Sequence, residues 1–184
     1  APYNLGTTLA TYATLRKARG EPLIFFGDRQ NQELRWDISS AAQMAEMMLW
    51  STGSDSARDE AFNCTTGVPF TWKELWPALA RWFDMEPVFT DEGFPVRPFF
   101  EENTELWSEL VESHGLQPYT LDALSSDDFV DRAMTMNWEA CYSMEKAKLA
   151  GFPLELRPDT VFVELFERLV RDRLIPDPSQ LPTR

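Results

Sequence analysis

The chain has 184 residues, 43% of them hydrophobic, with a formal net charge of −13 and a sequence pI of about 4.5. That length suits one domain with its own core, and the acidic balance excludes nucleic-acid backbones and anionic membrane surfaces as partners. No apolar run approaches the roughly 20 residues of a membrane helix and no signal-peptide pattern opens the chain; the two lone thiols, Cys64 and Cys141, fit a reducing cytoplasm, which is the expected location.

The first residue is Ala1 rather than Met, which reads as a processed or cut chain. The segment NLGTTLATYATLRKARG carries Leu5, Leu9, Tyr12, Ala13 and Leu15 at near-helical spacing, with Lys17 and Arg19 at a C-terminal end before Gly20. EPLIFFGD is a short apolar run closed by Gly27 and reads as a buried strand; ELRWDI reads as a second. A helix follows from Ser40, whose spacing to Gln43 is that of a capping box. Its Ala41, Met44, Ala45, Met48 and Leu49 read as a core face, and it stops near Gly53.

DEAFNCTTGVPFTWKELWPALARWF then reads as a strand, Ala61 to Thr66, a turn and a helix. Thr71 and Glu74 make a second capping-box match, and Phe70 and Leu75 occupy the positions of a hydrophobic staple. The helix buries Leu75, Trp76, Leu79 and Phe83, with a kink or tight first turn expected at Pro77. Residues 84–100, rich in Pro, Gly and Phe, read as a packed loop. ENTELWSELVESH is a helix with Leu106, Trp107, Leu110 and Val111 inward, ending at Gly115. Another opens at Ser125, Ser126, Asp127 and Asp128 and extends toward Gly151, with a break allowed. Asp159 or Thr160 caps a last helix with Phe162, Leu165, Phe166, Leu169 and Val170 inward, and Pro176 ends it. The expected organisation is a single domain over 1–175 and a loose tail over 176–184.

Chemistry-bearing patterns are sparse. No glycines are spaced for G-x-G-x-x-G or a P-loop; Gly67 stands alone where a phosphate cradle needs several. One histidine, His114, cannot build a His-rich metal site and sits at a helix end. Cys64 and Cys141 lack zinc spacing and read as small buried hydrophobes rather than a disulfide. Glu101 with Glu102, and Asp127 with Asp128, are helix neighbours that point apart, so neither pair is a dyad. Tyr142 and Lys146 have the Y-x-x-x-K spacing of short-chain dehydrogenases, a spacing common by chance. Seven Trp and thirteen Phe suit an apolar pocket, an interface or an ordinary core.

Three stretches together resemble a known family: NLGTTLATYATLRKARGEPLIFFG, DEAFNCTTG with FTWKELWPALARWF (Asp59 standing where the family has Asn), and SMEKAKLAGF. In order and separation they are similar to the C-terminal half of the progesterone 5β-reductase/iridoid synthase-like proteins, which are extended short-chain dehydrogenases/reductases. The resemblance runs from Asn4 to about Pro176. It implies a helix-rich α/β fold: the substrate-binding portion of such an enzyme, without the Gly-rich Rossmann half, whose sheet it would extend by a strand. It also implies NADPH, bound mainly by that half, and reduction of an enone at its β-carbon. The family's catalytic Tyr and Lys are expected upstream of Ala1, so Tyr142 and Lys146 are not that pair. By resemblance, Tyr3 and Asn4 lie along the nicotinamide and substrate. Trp36 lines the substrate cavity and narrows it, and Phe129, Met134 and Trp138 fall in the lid helix. Ser40 replaces a common Asp.

Three functions follow from this reading. The first is the substrate-binding part of an NADPH-dependent reductase for an apolar carbonyl compound, completed by an N-terminal Rossmann half or by oligomerisation. The second is a cofactor-free isomerase or cyclase using Tyr3, Tyr142 or a nearby carboxylate. The third is a non-catalytic binding subunit with a large exposed apolar surface.

Overall fold

The computed structural model describes residues 4–153 and 155–182. Helix α1 (Leu5–Ala18) opens the domain. The Asn4 side chain accepts from Thr7 N at 3.0 Å, which starts the helix, and Gly20 (φ +67°) closes it by donating to the Lys17 carbonyl at 2.8 Å. Residues 6–17 are all buried, so α1 is a central helix rather than a surface one. Its buried threonine hydroxyls donate back along the helix: Thr8 to Asn4 O, Thr11 to Thr7 O and Thr14 to Ala10 O, at 2.8–2.9 Å.

The expected strand in EPLIFFGD is buried but ladders only over β1 (Leu23–Ile24), parallel to β4 (Pro87–Val88). Pro87 has no N–H to give, and the Phe26 carbonyl is taken by Phe94 N instead. In ELRWDI, only β2 (Arg35–Trp36) is strand; α2 (Arg29–Glu33), capped by Asp28, occupies the residues before it. β2 runs antiparallel to β3 (Phe70–Thr71), pairing Arg35 with Thr71 and Trp36 with Phe70.

Helix α3 (Ala41–Gly53) begins at Ser40 as expected. Only half of the capping box forms: Gln43 N reaches Ser40 Oγ at 3.5 Å, while the Gln43 amide donates to the Thr65 carbonyl at 2.6 Å. The expected core face is corrected outright. Gln43 and Met47 are the buried residues of α3, and Met44, Met48 and Leu49 are 43%, 63% and 72% exposed. The expected strand over Ala61–Thr66 is also absent. The Cys64 and Thr65 carbonyls go to Ser39 and Gln43 side chains, and Thr66 N to the Ile38 carbonyl, rather than to a ladder.

Helix α4 (Trp72–Trp82) has the full capping box, with Thr71 N donating to Glu74 Oε2 and Glu74 N to Thr71 Oγ1. Phe70 and Leu75 are buried in one core, and the helix runs unbroken through Pro77. Pro77 leaves the Lys73 carbonyl without its donor, which is tolerable because Lys73 is exposed to water.

The loop expected over 84–100 contains β4 and the start of α5 (Val96–Glu102). Its free amides are capped from far away: Val96 N and Arg97 N donate to the Asp131 carboxylate at 2.9 and 3.2 Å. Asn103 separates α5 from α6 (Thr104–Ser113), where Trp107 and Leu110 point inward and His114 is the C-cap. Helix α7 (Leu121–Leu124) and α8 (Asp127–Ala133) follow. The long helix expected from Ser125 breaks after α8, and α9 (Glu145–Leu149) is a separate turn. Helix α10 (Pro158–Arg171) starts at Pro158, before Asp159, because a proline suits the first helical position. After Pro176 the chain makes a 3-10 turn (Pro178–Gln180), and Ile175, Pro178 and Leu181 are buried. The main core gathers α1, α4, α6, α10 and β1; a small second cluster holds Met47, Met144, Ala147 and Phe152.

Gly93 sits at φ +77°, and a Cβ there would stand 2.8 Å from the Phe26 carbonyl oxygen. Gly93→Ala is expected to destabilise the chain by more than about 1 kcal/mol. Thermal unfolding followed by circular dichroism checks this; an unchanged midpoint would contradict it.

Candidate functional site

Of the residues singled out from the sequence, Trp36 lies on β2, and Met134, Trp138 and Tyr142 lie in the irregular segment 134–144. Trp36 is 7% exposed and lies between β3 and Ala140, with which it forms a parallel bridge. Ala140 N donates to the Arg35 carbonyl and Asp37 N to the Ala140 carbonyl, each at 3.0 Å. The Trp36 ring meets Trp72 edge-on at 6.3 Å between centroids, and Trp72 in turn touches Phe25, Phe70 and Phe162. Among the described residues, neither the Trp36 nor the Trp72 indole N–H finds a hydrogen-bond partner, although both are buried.

A second tie comes from α2. Asn31, 2% exposed, donates through Nδ2 to the carbonyls of Met134 at 2.7 Å and Met136 at 3.2 Å. That amide holds the break between α8 and α9 against the domain. Met134 is buried, Phe129 is half-buried on α8, and Trp138 is 59% exposed. The structure thus brings Trp36 and Met134 into one core and leaves Trp138 facing outward, beside the Arg35–Glu139 pair. That pair is bidentate, at 2.9 and 2.8 Å, and its hydrogen bonds push the Arg35 pKa up and the Glu139 pKa down.

Asp37 sits underneath. Its carboxylate accepts from Tyr142 N at 2.6 Å. Partial burial raises its pKa, against the opposing pull of that amide and of the Thr65 hydroxyl. Burial also raises the thiols of Cys141, next to Asp37, and Cys64; both cysteines are free. Tyr142 is 60% exposed and precedes α9, so it does not share a helical turn with Lys146. The Lys146 ammonium is engaged by Glu60 Oε2 at 2.6 Å and the Ala61 carbonyl at 2.9 Å. Tyr142 and Lys146 are therefore not a catalytic pair here.

Tyr3 lies outside the described residues. Asn4, expected along the nicotinamide, is half-buried and uses Oδ1 to cap α1. With no Gly-rich loop in the sequence and this side chain committed to the helix, the residues present do not by themselves fit a dinucleotide. No group of three or more His, Cys, Asp or Glu among the described residues is placed to hold a metal ion. No described helix is long and apolar enough to cross a membrane. An open groove of about 560 Å³ lies elsewhere, between the ends of α4 and α10, lined by Trp82, Asp84, Glu167, Arg171 and Pro178. It includes none of the residues expected at the site. Asn31, Asp37 and Trp72 are the site residues that sequence reasoning did not single out. Asn31 lies in the uniformly polar RQNQE, which offers no signal, whereas Trp72 stands at the head of a helix whose start was legible.

These features define a helix-rich α/β domain with two short two-stranded sheets among its described residues. No family model matches the chain. It is 31% identical over 151 residues to an (S)-8-oxocitronellyl enol synthase of Antirrhinum majus, covering 81% of this chain and 39% of that protein. It is 29% identical to a 3-oxo-Delta(4,5)-steroid 5-beta-reductase of Arabidopsis thaliana, over 96% of this chain and 46% of the relative. An (S)-8-oxocitronellyl enol synthase of Catharanthus roseus is 28% identical over 94% of this chain and 45% of its own length. The chain thus spans less than half the length of these relatives. It belongs to the progesterone 5β-reductase/iridoid synthase-like family.

Two substitutions probe the geometry. Asn31→Leu strands the Met134 and Met136 carbonyls and is expected to cost about 1–3 kcal/mol, measured by urea unfolding. Asp37 has a raised folded pKa, so its contribution favours folding below the ordinary aspartate range and is lost as pH rises through the folded pKa. Asp37→Asn is therefore expected to raise the melting temperature at pH ~7, with the gain vanishing near pH ~3. A gain that persists at acid pH would show that the carboxylate charge is not the cause.

Proposed function

We propose that this chain is the substrate-binding portion of an NADPH-dependent reductase that acts on an enone or related apolar carbonyl compound. It works with a nucleotide-binding half supplied by the same precursor or by a partner chain. The observation that carries this is the 31% identity over 81% of the chain to an (S)-8-oxocitronellyl enol synthase, in a sequence with no Gly-rich nucleotide loop of its own. The steroid reductase among the relatives supports the same substrate chemistry, a carbonyl conjugated to a carbon–carbon double bond. Trp36, Phe129, Met134 and Trp138 are the residues proposed to face that substrate, with Tyr3 and Asn4 nearer the nicotinamide. The catalytic acid and the bulk of the NADPH site belong to the other half, which also accounts for the absence of a usable Tyr142–Lys146 pair.

A cofactor-free isomerase or cyclase would need an enclosed cavity around Trp36 and Phe129, and the groove described above is lined by neither. A non-catalytic binding subunit is favoured by one observation, the exposed apolar side of α3. Activity separates these readings. The chain is mixed with the nucleotide-binding portion of the Arabidopsis relative, NADPH and a panel of α,β-unsaturated ketones and aldehydes. The expected result is NADPH consumption and a product two hydrogens heavier, from the mixture and from neither part alone. Conversion by this chain without NADPH would point to the isomerase. A complex that converts none of the panel would point to the binding subunit.

A further inference from the structure

Helix α2 is five residues, RQNQE, without one apolar side chain, yet Asn31 and Gln32 are 2% and 8% exposed. Such a helix has no apolar stripe to hold it, and its buried amides serve as tethers instead. Gln32 Nε2 donates to the Thr90 carbonyl at 2.7 Å. Asn31 Nδ2 takes the Met134 and Met136 carbonyls at 2.7 and 3.2 Å, and Gln30 Nε2 reaches the Asn137 carbonyl at 3.4 Å. The same segment is anchored again at Glu139, by the bidentate pair with Arg35, and at Ala140, by its bridge to Trp36. Trp138 stands between these two sets of ties, with its side chain 59% exposed. The Arg35–Glu139 pair is itself exposed, so it adds little to stability; its two parallel hydrogen bonds supply a fixed geometry. Fixing a wet indole from both sides does nothing for this domain's own core. It does suit a contact outside the domain, because a ring held in advance loses little conformational freedom on binding.

We infer that Asn31 is a positioning residue for the substrate. Through the Met134 and Met136 carbonyls it holds the turn that presents Trp138 to the apolar part of the compound, away from the reacting carbonyl. This rests on the proposed function, in which Trp138 faces the substrate. The consequence is selectivity by size: a compound with a long apolar group reaches the Trp138 ring, and a small enone does not.

The test uses the full 184-residue chain with the nucleotide-binding portion of the Arabidopsis relative, NADPH and two alkyl vinyl ketones, one methyl and one octyl. Asn31→Leu removes the tie and Trp138→Ala removes the ring. Each is expected to raise KM for the octyl ketone, relative to the methyl ketone, at least about tenfold, with the loss in KM rather than in kcat. The double variant is expected to be no worse than Trp138→Ala alone, because Asn31 acts through that ring. Additive losses, or an Asn31→Leu loss equal for both ketones, would leave the amide a role in folding only and overturn the inference while the proposed function stands. Glu139→Gln covers the case in which Asn31→Leu does not fold, since it disturbs an exposed pair. It is expected to shift the octyl-to-methyl KM ratio in the same direction, and an unchanged ratio would overturn the inference. Failure of the unmodified mixture to consume NADPH with either ketone would overturn the proposed function and the inference together.

Discussion

The domain is organised by the need to satisfy one helix that is buried on every side. From Gly6 to Lys17, α1 has no wet face, so every polar atom on it must find a partner inside the protein. Its threonines solve this within the helix by donating to carbonyls four residues back. Its longer polar side chains cannot, and the elements they reach are held where those side chains end. The Tyr12 hydroxyl donates to the Ile24 carbonyl, and burial pushes its pKa well above the usual phenol range, so it stays a donor. Arg16 Nε donates to the Pro22 carbonyl while its guanidinium lies over Phe94 and Phe99. The Lys17 ammonium, on a side chain 2% exposed, reaches the Asp84 carbonyl at 3.2 Å and its carboxylate at 3.5 Å. Asp84 has a positive φ of 52° at the turn after α4, so the position of that turn is fixed partly by a charge on α1. With the carboxylate itself largely exposed, the ion pair contributes little; the cost of leaving the ammonium unpaired is the larger quantity.

What could be read from the sequence divides along the same line. Features whose partners lie within about four residues were legible: the Thr71–Glu74 box, the Phe70–Leu75 staple, the helix start at Ser40 and the helix end at His114. Features whose partners lie far along the chain were not. Helix α5 looked like a loop because its prolines hid it and its cap is Asp131, more than thirty residues on. The helix expected from Ser125 breaks because Asn31, about a hundred residues earlier, takes the Met134 and Met136 carbonyls. No window on the local sequence contains both members of either pair. At the candidate site, Trp36 stood out by size and by resemblance. The amide that holds the facing segment sat in a stretch too polar to attract notice.

The misreading of α3 has a different origin. Its periodicity is real, but it marks two apolar faces, and sequence analysis assigned the core to the wrong one. The face that is buried carries Gln43, a polar residue no hydrophobic template selects. Gln43 is nevertheless 0% exposed because its amide closes the Thr65 carbonyl at 2.6 Å. One buried side-chain hydrogen bond therefore decides which way the helix faces. The methionines that fit the template better are turned outward as a result.

The strands show the same pull of side chains against ladders. Among the described residues there are four, each two residues long. Extended segments on either side are buried or anchored without joining them. Phe25 N continues one rung to the Val88 carbonyl, but the Phe26 carbonyl then turns to Phe94. Beside α3, the carbonyls of Ala61, Cys64 and Thr65 are taken by Lys146, Ser39 and Gln43. Two-residue ladders are too short to hold a sheet by themselves, so the helices around α1 carry the stability of this domain.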